Sequence, residues 1–303
     1  MSYAAIAREE AVLVERTGLL GEGSSSAGRQ VVARFFIEGF GTAEQRAAWL
    51  PHLASVAISE PRVGAHPKLL TTRAEADGDG YRIFGEKAWV TNGPFARVFI
   101  VLAVTATEGT RKRYSAFLVP RDTVGLSIKE MPEYRALAPS RHCGLLLDGC
   151  HVPHSAQLGP TGTAYEAMAL PFRDVEDAVG TLGLFGAFRF LLARFAASGQ
   201  SVDAATLSLG GLAALTAVYA EAADAVVAAL DAGELQRKAA ALVGLRVLAA
   251  ELVQRARAHR DEFVPDADAA IERVFGDLET SLSVARGPRQ ARQARLGAQL
   301  AGR

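Results

Sequence analysis

The hydrophobic pattern of this chain changes period twice, and that switch constrains its fold more than any single motif. Residues 1–54 place apolar side chains at helical spacing: Tyr3, Ile6 and Val14 share one face of a short amphipathic helix. GEGSSSAG then reads as a break, with Ser24–Ser26 as a flexible connection or helix start, and VVARFFIEGF as a second helix. Thr42 with Gln45 has the spacing of a capping box and opens a third helix, which Pro51 ends early.

Residues 55–158 carry shorter apolar runs and more Gly, Pro, Thr and Val. TTRAEADGDGYRIFGEKAWVTNG holds two strands around Asp77-Gly78-Asp79-Gly80, a hairpin signal. RVFIVLAVTA, RYSAFLVP, GLSIKEM and HCGLLLDG follow as further strands. Five to eight short strands at this spacing predict a small sandwich or barrel. Residues 159–303 return to the helical period. VGTLGLFGAFRFLLARFAA, LGGLAALTAVYAEAADAVVAAL and KAAALVGLRVLAAELVQRARAHRDEF are long and apolar on a wide face, punctuated by Gly199, Gly233 and Pro265. They predict three or four antiparallel helices in an up-down bundle. The expected class is multidomain α+β: a short helical region, a central β domain and a helical bundle.

Charge narrows the function. Lys plus Arg is 33 and Asp plus Glu is 33, a zero balance that argues against a main role in binding nucleic acid or another polyanion. Arg286, Arg289, Arg292 and Arg295 recur every three residues. With that balance they read as a solvated helix face, or as a contact to a cofactor or carrier phosphate. Cys143 and Cys150 are the only cysteines, so a reducing, cytoplasmic compartment is the default. Charges interrupt MSYAAIAREEAVLVERTG, unlike a signal peptide, and no uncharged apolar run of 18 residues predicts a membrane span. Cys143, Cys150, His151 and His154 have some look of metal ligands, but structural zinc prefers closer cysteine pairs and a second knuckle, so no metal is expected. No nucleophile elbow, Walker loop or dinucleotide fingerprint sits between a strand and a helix.

Five motifs in fixed order resemble the acyl-CoA dehydrogenase family: GTAEQRAAWLPHLAS, ISEP, DGDGYRIFGEKAWVTNG, YSAFLVPRDTVGLSI and LLLDGCHVPHSAQLG. The resemblance runs over about Phe40–Gly159 and weakens in the bundle. It implies FAD, whose flavin takes hydride from the β-carbon of an acyl thioester while a carboxylate removes the α-proton. It assigns Ser59 to the flavin edge, with Ile58 supplying backbone contacts, and Trp89 and Thr91 to the isoalloxazine face. Gly64 matches the loop after Glu60-Pro61. In that loop Ala65 and His66 stand where the family usually has Ser and Asp, which leaves coenzyme A and carrier protein both open as thioester carriers. Arg194 is the expected remnant of the family's pyrophosphate-side stretch, and no Gly-Gly counterpart follows between His259 and Asp277.

The resemblance also locates what is changed. The two positions where the family places its catalytic base hold Arg173, counted back from Leu182-Gly183-Leu184, and Arg286, before Gly287-Pro288. A guanidinium stays protonated and cannot take a proton from carbon. Asp174 and Glu176 are the substitute candidates, against a reading of FRDVED as a charged helix start favoured by the dipole. Three readings follow: a dehydrogenase with an atypical base; a non-catalytic partner subunit of a heteromeric dehydrogenase; or a redox-inactive homologue that binds or transforms a thioester. The family's assemblies imply a homo-oligomer or heteromer here, and the shortened N-terminal region implies an open acyl pocket or one closed by a partner.

Overall fold

The computed structural model describes residues 1–131, 135–198, 203–266 and 268–302. The order helices, sheet, helices is as the two changes of period predict. Helices α1 (Tyr3–Thr17), α2 (Leu20–Val32) and α3 (Ala43–Trp49) come first. Strands β1 (Ala54–Ala57), β2 (Arg73–Asp77), β3 (Gly80–Thr91), β4 (Val98–Glu108), β5 (Arg111–Pro120), β6 (Leu126–Glu130), β7 (His142–Pro153) and β8 (Gln157–Leu158) follow. Helices α4 (Leu170–Ala197), α5 (Asp203–Asp231), α6 (Ala239–Phe263), α7 (Ala269–Ser283) and α8 (Arg286–Leu300) complete the chain. Compactness groups these elements differently from the segments 1–54, 55–158 and 159–303. One unit gathers residues 1–27, 136–139 and 176–303, the other residues 28–135 and 140–175.

The sheet unit is one hydrogen-bonded path, β6-β7-β3-β2-β4-β5-β8, with β1 parallel to β4. The Asp77–Gly80 signal is the tight turn between β2 and β3: Asp77 pairs with Gly80, and Gly78 takes φ 59°. Its core packs Ile83, Val90, Phe99, Phe117 and Leu145. The Thr42 capping box forms, and Gln45 goes further than its cap, donating through Nε2 to the Ser155 and Gln157 carbonyls at 2.8 and 2.9 Å. Phe36 and Phe172 pack 4.7 Å apart between ring centres, seating the start of α4 in this unit.

In the helical unit, α1 lies against α5: the Tyr3 and Ala4 amides donate to the Asp231 carboxylate at 2.8 and 2.9 Å. Helix α6 packs against α5, α7 and α8, and Tyr219, Val226, Val227, Leu252 and Phe275 are buried here. Gly233 takes φ 71° just past the end of α5 and Pro265 follows α6, as punctuation should; Gly199 lies outside the described residues.

One expectation fails. GEGSSSAG does not break the chain; it is the body of α2, so Ser24–Ser26 are helical. A Cβ on Gly21 would stand 1.7 Å from the Leu137 carbonyl oxygen, and one on Gly23 2.4 Å from Val14. Close approach of backbones, not helix breaking, is the reason for glycine, and packing overrides the propensity penalty of about 1 kcal/mol per glycine. Tyr165–Ala197 and Asp203–Asp231 are long and apolar enough, by length and composition, to cross a membrane once one or two charges are tolerated. In the protein α5 directs Leu212, Tyr219, Ala223, Val226 and Val227 inward.

Candidate functional site

The site starts from a buried charge. Glu60 follows the Ser59 step and is 3% exposed. A carboxylate there needs donors, and it has four. Oε2 accepts from the Thr71 amide and hydroxyl at 2.7 and 2.8 Å; Oε1 accepts from the Thr72 amide at 2.8 Å and from Lys87 Nζ at 3.1 Å. Burial works against its ionisation, but the Lys87 ammonium and the two threonines outweigh it and hold Glu60 down at about 2. Lys87, 1% exposed, is pulled down to about 8 by burial, with Glu60 opposing.

This pair fixes the geometry of the predicted flavin face. Lys87 also donates to the Ile58 carbonyl at 3.1 Å, and the Ala88 amide donates to the Ser59 carbonyl at 2.9 Å. The segment Ile58–Glu60 is thereby stitched to β3. Beyond it, the amide and carbonyl of Glu60 pair with those of Gly64 at 2.9 and 3.0 Å, closing a turn in which Arg62 and Gly64 have positive φ. Between Lys87 and Val90 the register of β3 against β7 slips. In that bulge Trp89 adopts φ 60°, a conformation a bulky residue takes only when its surroundings impose it, at a cost of about 1–3 kcal/mol. The result is an indole 49% exposed on a strand whose neighbours Lys87 and Val90 are buried. Thr91 is exposed next along the strand, and Asn92, also at positive φ, donates its amide to the Arg141 carbonyl at 2.9 Å. Ile58, Ser59, Gly64, Trp89 and Thr91 are therefore all in the sheet unit; the Lys87 side chain ties Ile58, and a backbone bond ties Ser59, to the strand that carries Trp89 and Thr91.

An outward-turned indole beside hydroxyl side chains is a surface for a flat conjugated ring with a polar edge. The residues fit the group the motifs imply. Sequence reasoning missed Glu60 and Lys87. The available signal was a lysine at a buried position of an alternating strand, which demands a buried partner.

Of the remaining expected residues, Arg173 and Asp174 lie in the sheet unit and Glu176, Arg194 and Arg286 in the helical unit. Arg173 lies in the first turn of α4, in the sheet unit, near Tyr165; its Nε is buried with no hydrogen-bond partner. The Tyr165 hydroxyl donates to the Ala65 carbonyl at 2.8 Å. Asp174 is half-buried and Glu176 exposed. Arg286 opens α8 in the helical unit, is exposed, and has no ion-pair or hydrogen-bond partner among the described residues. Arg194 ends α4 paired with Asp268, the N-cap of α7. Arg289 and Arg292 are not a solvated face: both turn onto Asp177, at 2.6 and 3.6 Å. Cys143 and Cys150 are buried core thiols of β7, and burial pushes Cys143 up to about 11. Among the described residues no group of three His, Cys, Asp or Glu converges on a metal-sized position.

Comparison with known proteins points one way. The family model described as acyl-CoA dehydrogenase, middle domain, matches residues 55–150. Over 155 residues the chain is 32% identical to the mitochondrial 2-methylacyl-CoA dehydrogenase of Solanum tuberosum, covering 48% of this chain and 38% of that one. It is 33% identical over 133 residues to the mitochondrial short-chain specific acyl-CoA dehydrogenase of Homo sapiens, covering 42% and 32%. The matched stretch thus spans well under half the length of these relatives. A crystal structure of a glutaryl-CoA dehydrogenase from Mycobacterium smegmatis in complex with FADH2 superposes with TM-score 0.74 at 22% identity, over 99% of this chain and 87% of that one. At that identity the superposition carries the fold.

Proposed function

We propose that the chain is a member of the acyl-CoA dehydrogenase family, an FAD-binding protein acting on an acyl thioester. The single observation that carries the reading is the Trp89 bulge: a strained, outward indole held beside Ser59 and Thr91 by the buried Glu60–Lys87 pair. FAD when bound supplies a hydride acceptor for an α,β-dehydrogenation. The chain's own residues do the positioning. Trp89 offers a face for dispersion contact, and the Ser59 and Thr91 hydroxyls offer hydrogen bonds to the polar edge of the ring. Arg62–His66, with Gly64 at φ 58°, forms the turn after Glu60, and in this reading that turn faces the thioester.

Proton removal from carbon needs a carboxylate, and neither Arg173 nor Arg286 can provide it. In this reading Asp174, half-buried and next to Arg173, or Glu176, takes that role. The thioester is on coenzyme A or a carrier protein. A second reading is favoured by the same two arginines: a partner subunit that shares a flavin site with a neighbouring dehydrogenase carrying the base. In either reading the exposed Leu207 and Val218 of α5 supply apolar surface for assembly into an oligomer.

A visible spectrum of the purified chain tests this. Flavin absorbance that bleaches on adding an acyl-CoA supports the enzyme; Asp174→Asn or Glu176→Gln then abolishes the bleaching. Unchanged bleaching in both variants removes these two as base. Flavin acquired only on co-expression with a second dehydrogenase chain supports the partner subunit. A protein colourless under both conditions sinks the flavin reading.

A further inference from the structure

Arg286, Arg289 and Arg292, three of the four arginines in the α8 repeat, line a cleft of about 320 Å³ in the helical unit, and Arg295 is exposed outside it. One carboxylate, Asp177, stands at its base with its side chain 7% exposed. Arg289 reaches it at 2.6 Å, Arg292 at 3.6 Å and Arg246 at 3.8 Å. Arg286 lines the same cleft without a partner among the described residues. Glu176 is the other carboxylate close to Arg289. Arg246, Arg286, Arg289 and Arg292 thus gather around Asp177.

The donors are not used up. Arg289 gives its terminal nitrogens to Asp177 and to the Ser281 and Val284 carbonyls, and Arg246 gives one to the Ser281 carbonyl at 3.4 Å. The Nε atoms of both are buried with no hydrogen-bond partner. Burial pulls the ionisation of Arg289 down further than Asp177 restores it. A guanidinium cannot relieve this by losing its proton, so Arg289 stays charged beside low-dielectric walls. Those walls are Leu242, Val243 and Val247, the last 50% exposed.

We propose that this cleft binds an amphiphilic oxyanion: a carboxylate or phosphate head held by Arg286, Arg246 and Arg289, with an apolar body along Leu242, Val243 and Val247. Planar guanidinium forks suit both heads, which they take in bidentate fashion. The volume lies at the small end of the range for small-molecule sites, about 300–1,000 Å³. The site is confined to the helical unit and stands whether or not the flavin reading does.

The test is calorimetric titration of the purified full chain with octanoate, octyl phosphate and 1-octanol. Octanoate or octyl phosphate binds and 1-octanol does not; whichever head binds more tightly identifies the head group. Arg286→Gln weakens that binding at least tenfold. Arg286 is exposed and has no partner among the described residues, so the variant keeps the far-UV spectrum and melting temperature of the parent. The proposal is overturned if neither oxyanion binds, if 1-octanol binds as tightly, or if both Arg286→Gln and Arg246→Gln bind like the parent.

Discussion

Glu60 in the sheet unit and Glu10 in the helical unit are two buried glutamates with opposite fates. Glu60 is 3% exposed and Glu10 4%. Burial alone raises a carboxyl's pKa, because it penalises the charged form. Glu10, on α1 against Gly183 of α4, has no hydrogen bond or ion pair among the described residues, and burial pushes it up to about 8. Glu60 meets the same penalty but faces Lys87 and two threonines, and it ends at about 2. Donors, not depth, decide the protonation state. The helical unit buries Glu10 as a neutral acid, a polar filler of its packing. The sheet unit buries Glu60 as an ion, because the ion organises the strand that carries Trp89.

The contrast breaks most visibly with pH. Glu10 is raised from 4.5 to about 8, so its contribution is fully present below pH 4.5 and is lost as pH rises through 8. Over that window the unfolded chain ionises while the fold keeps the proton, a loss bounded at about 5 kcal/mol by the linkage relation. Glu10→Gln should therefore be more stable than the parent at pH 8 and close to it at pH 4, in urea unfolding followed by circular dichroism. Equal stability at both pH values would place a donor on Glu10 in solution. Next in size is the ion pair. Lys87→Met strands the Glu60 carboxylate, and breaking a buried pair from one side costs about 3–5 kcal/mol. Pairing Lys87→Met with Glu60→Gln should recover part of that loss; no recovery would mean Lys87 acts through packing alone. Glu60 itself has the opposite pH sign from Glu10. Its folded value lies below the ordinary 4.5, so its stabilisation is present above pH 4.5 and lost as pH falls toward 2. The shift corresponds to about 3 kcal/mol, and Glu60→Gln should flatten the acid limb of the unfolding profile.

The same two glutamates mark what the sequence discloses. The sheet unit was legible because its signals are local: the Asp77–Gly80 turn, the Thr42–Gln45 cap and the alternation of the strands each act within a few residues. The residues of the ring face were legible through motif order, yet the bulge that turns Trp89 outward was not. A bulge depends on how β3 meets β7, which are about 60 residues apart along the chain. In the helical unit the decisive contacts are between distant segments. Gly21 reads as a breaker until the Leu137 carbonyl is seen against it, and Arg289 and Arg292 read as solvated until Asp177 is seen beneath them. Helical periodicity reports which face is apolar, but not which charge on another helix a long side chain will reach.

The smallest stability effect is the most informative for function. Trp89 is half-exposed and strained at φ 60°, so little of its surface supports the core. Trp89→Ala keeps the strained backbone, since alanine also disfavours positive φ, but removes the indole. Substitutions at exposed positions usually change stability by no more than about 0.5 kcal/mol, so the variant should unfold within about that margin of the parent. Its flavin content, read from the visible spectrum, should fall sharply. The opposite pattern, large destabilisation with flavin retained, would make Trp89 a packing residue and the bulge an accident of strand pairing. Lys87→Met supplies the reference, because it should lose flavin and stability together. A residue that organises the ring face from below is costly to the fold, whereas one that offers the face itself is costly only to what binds there.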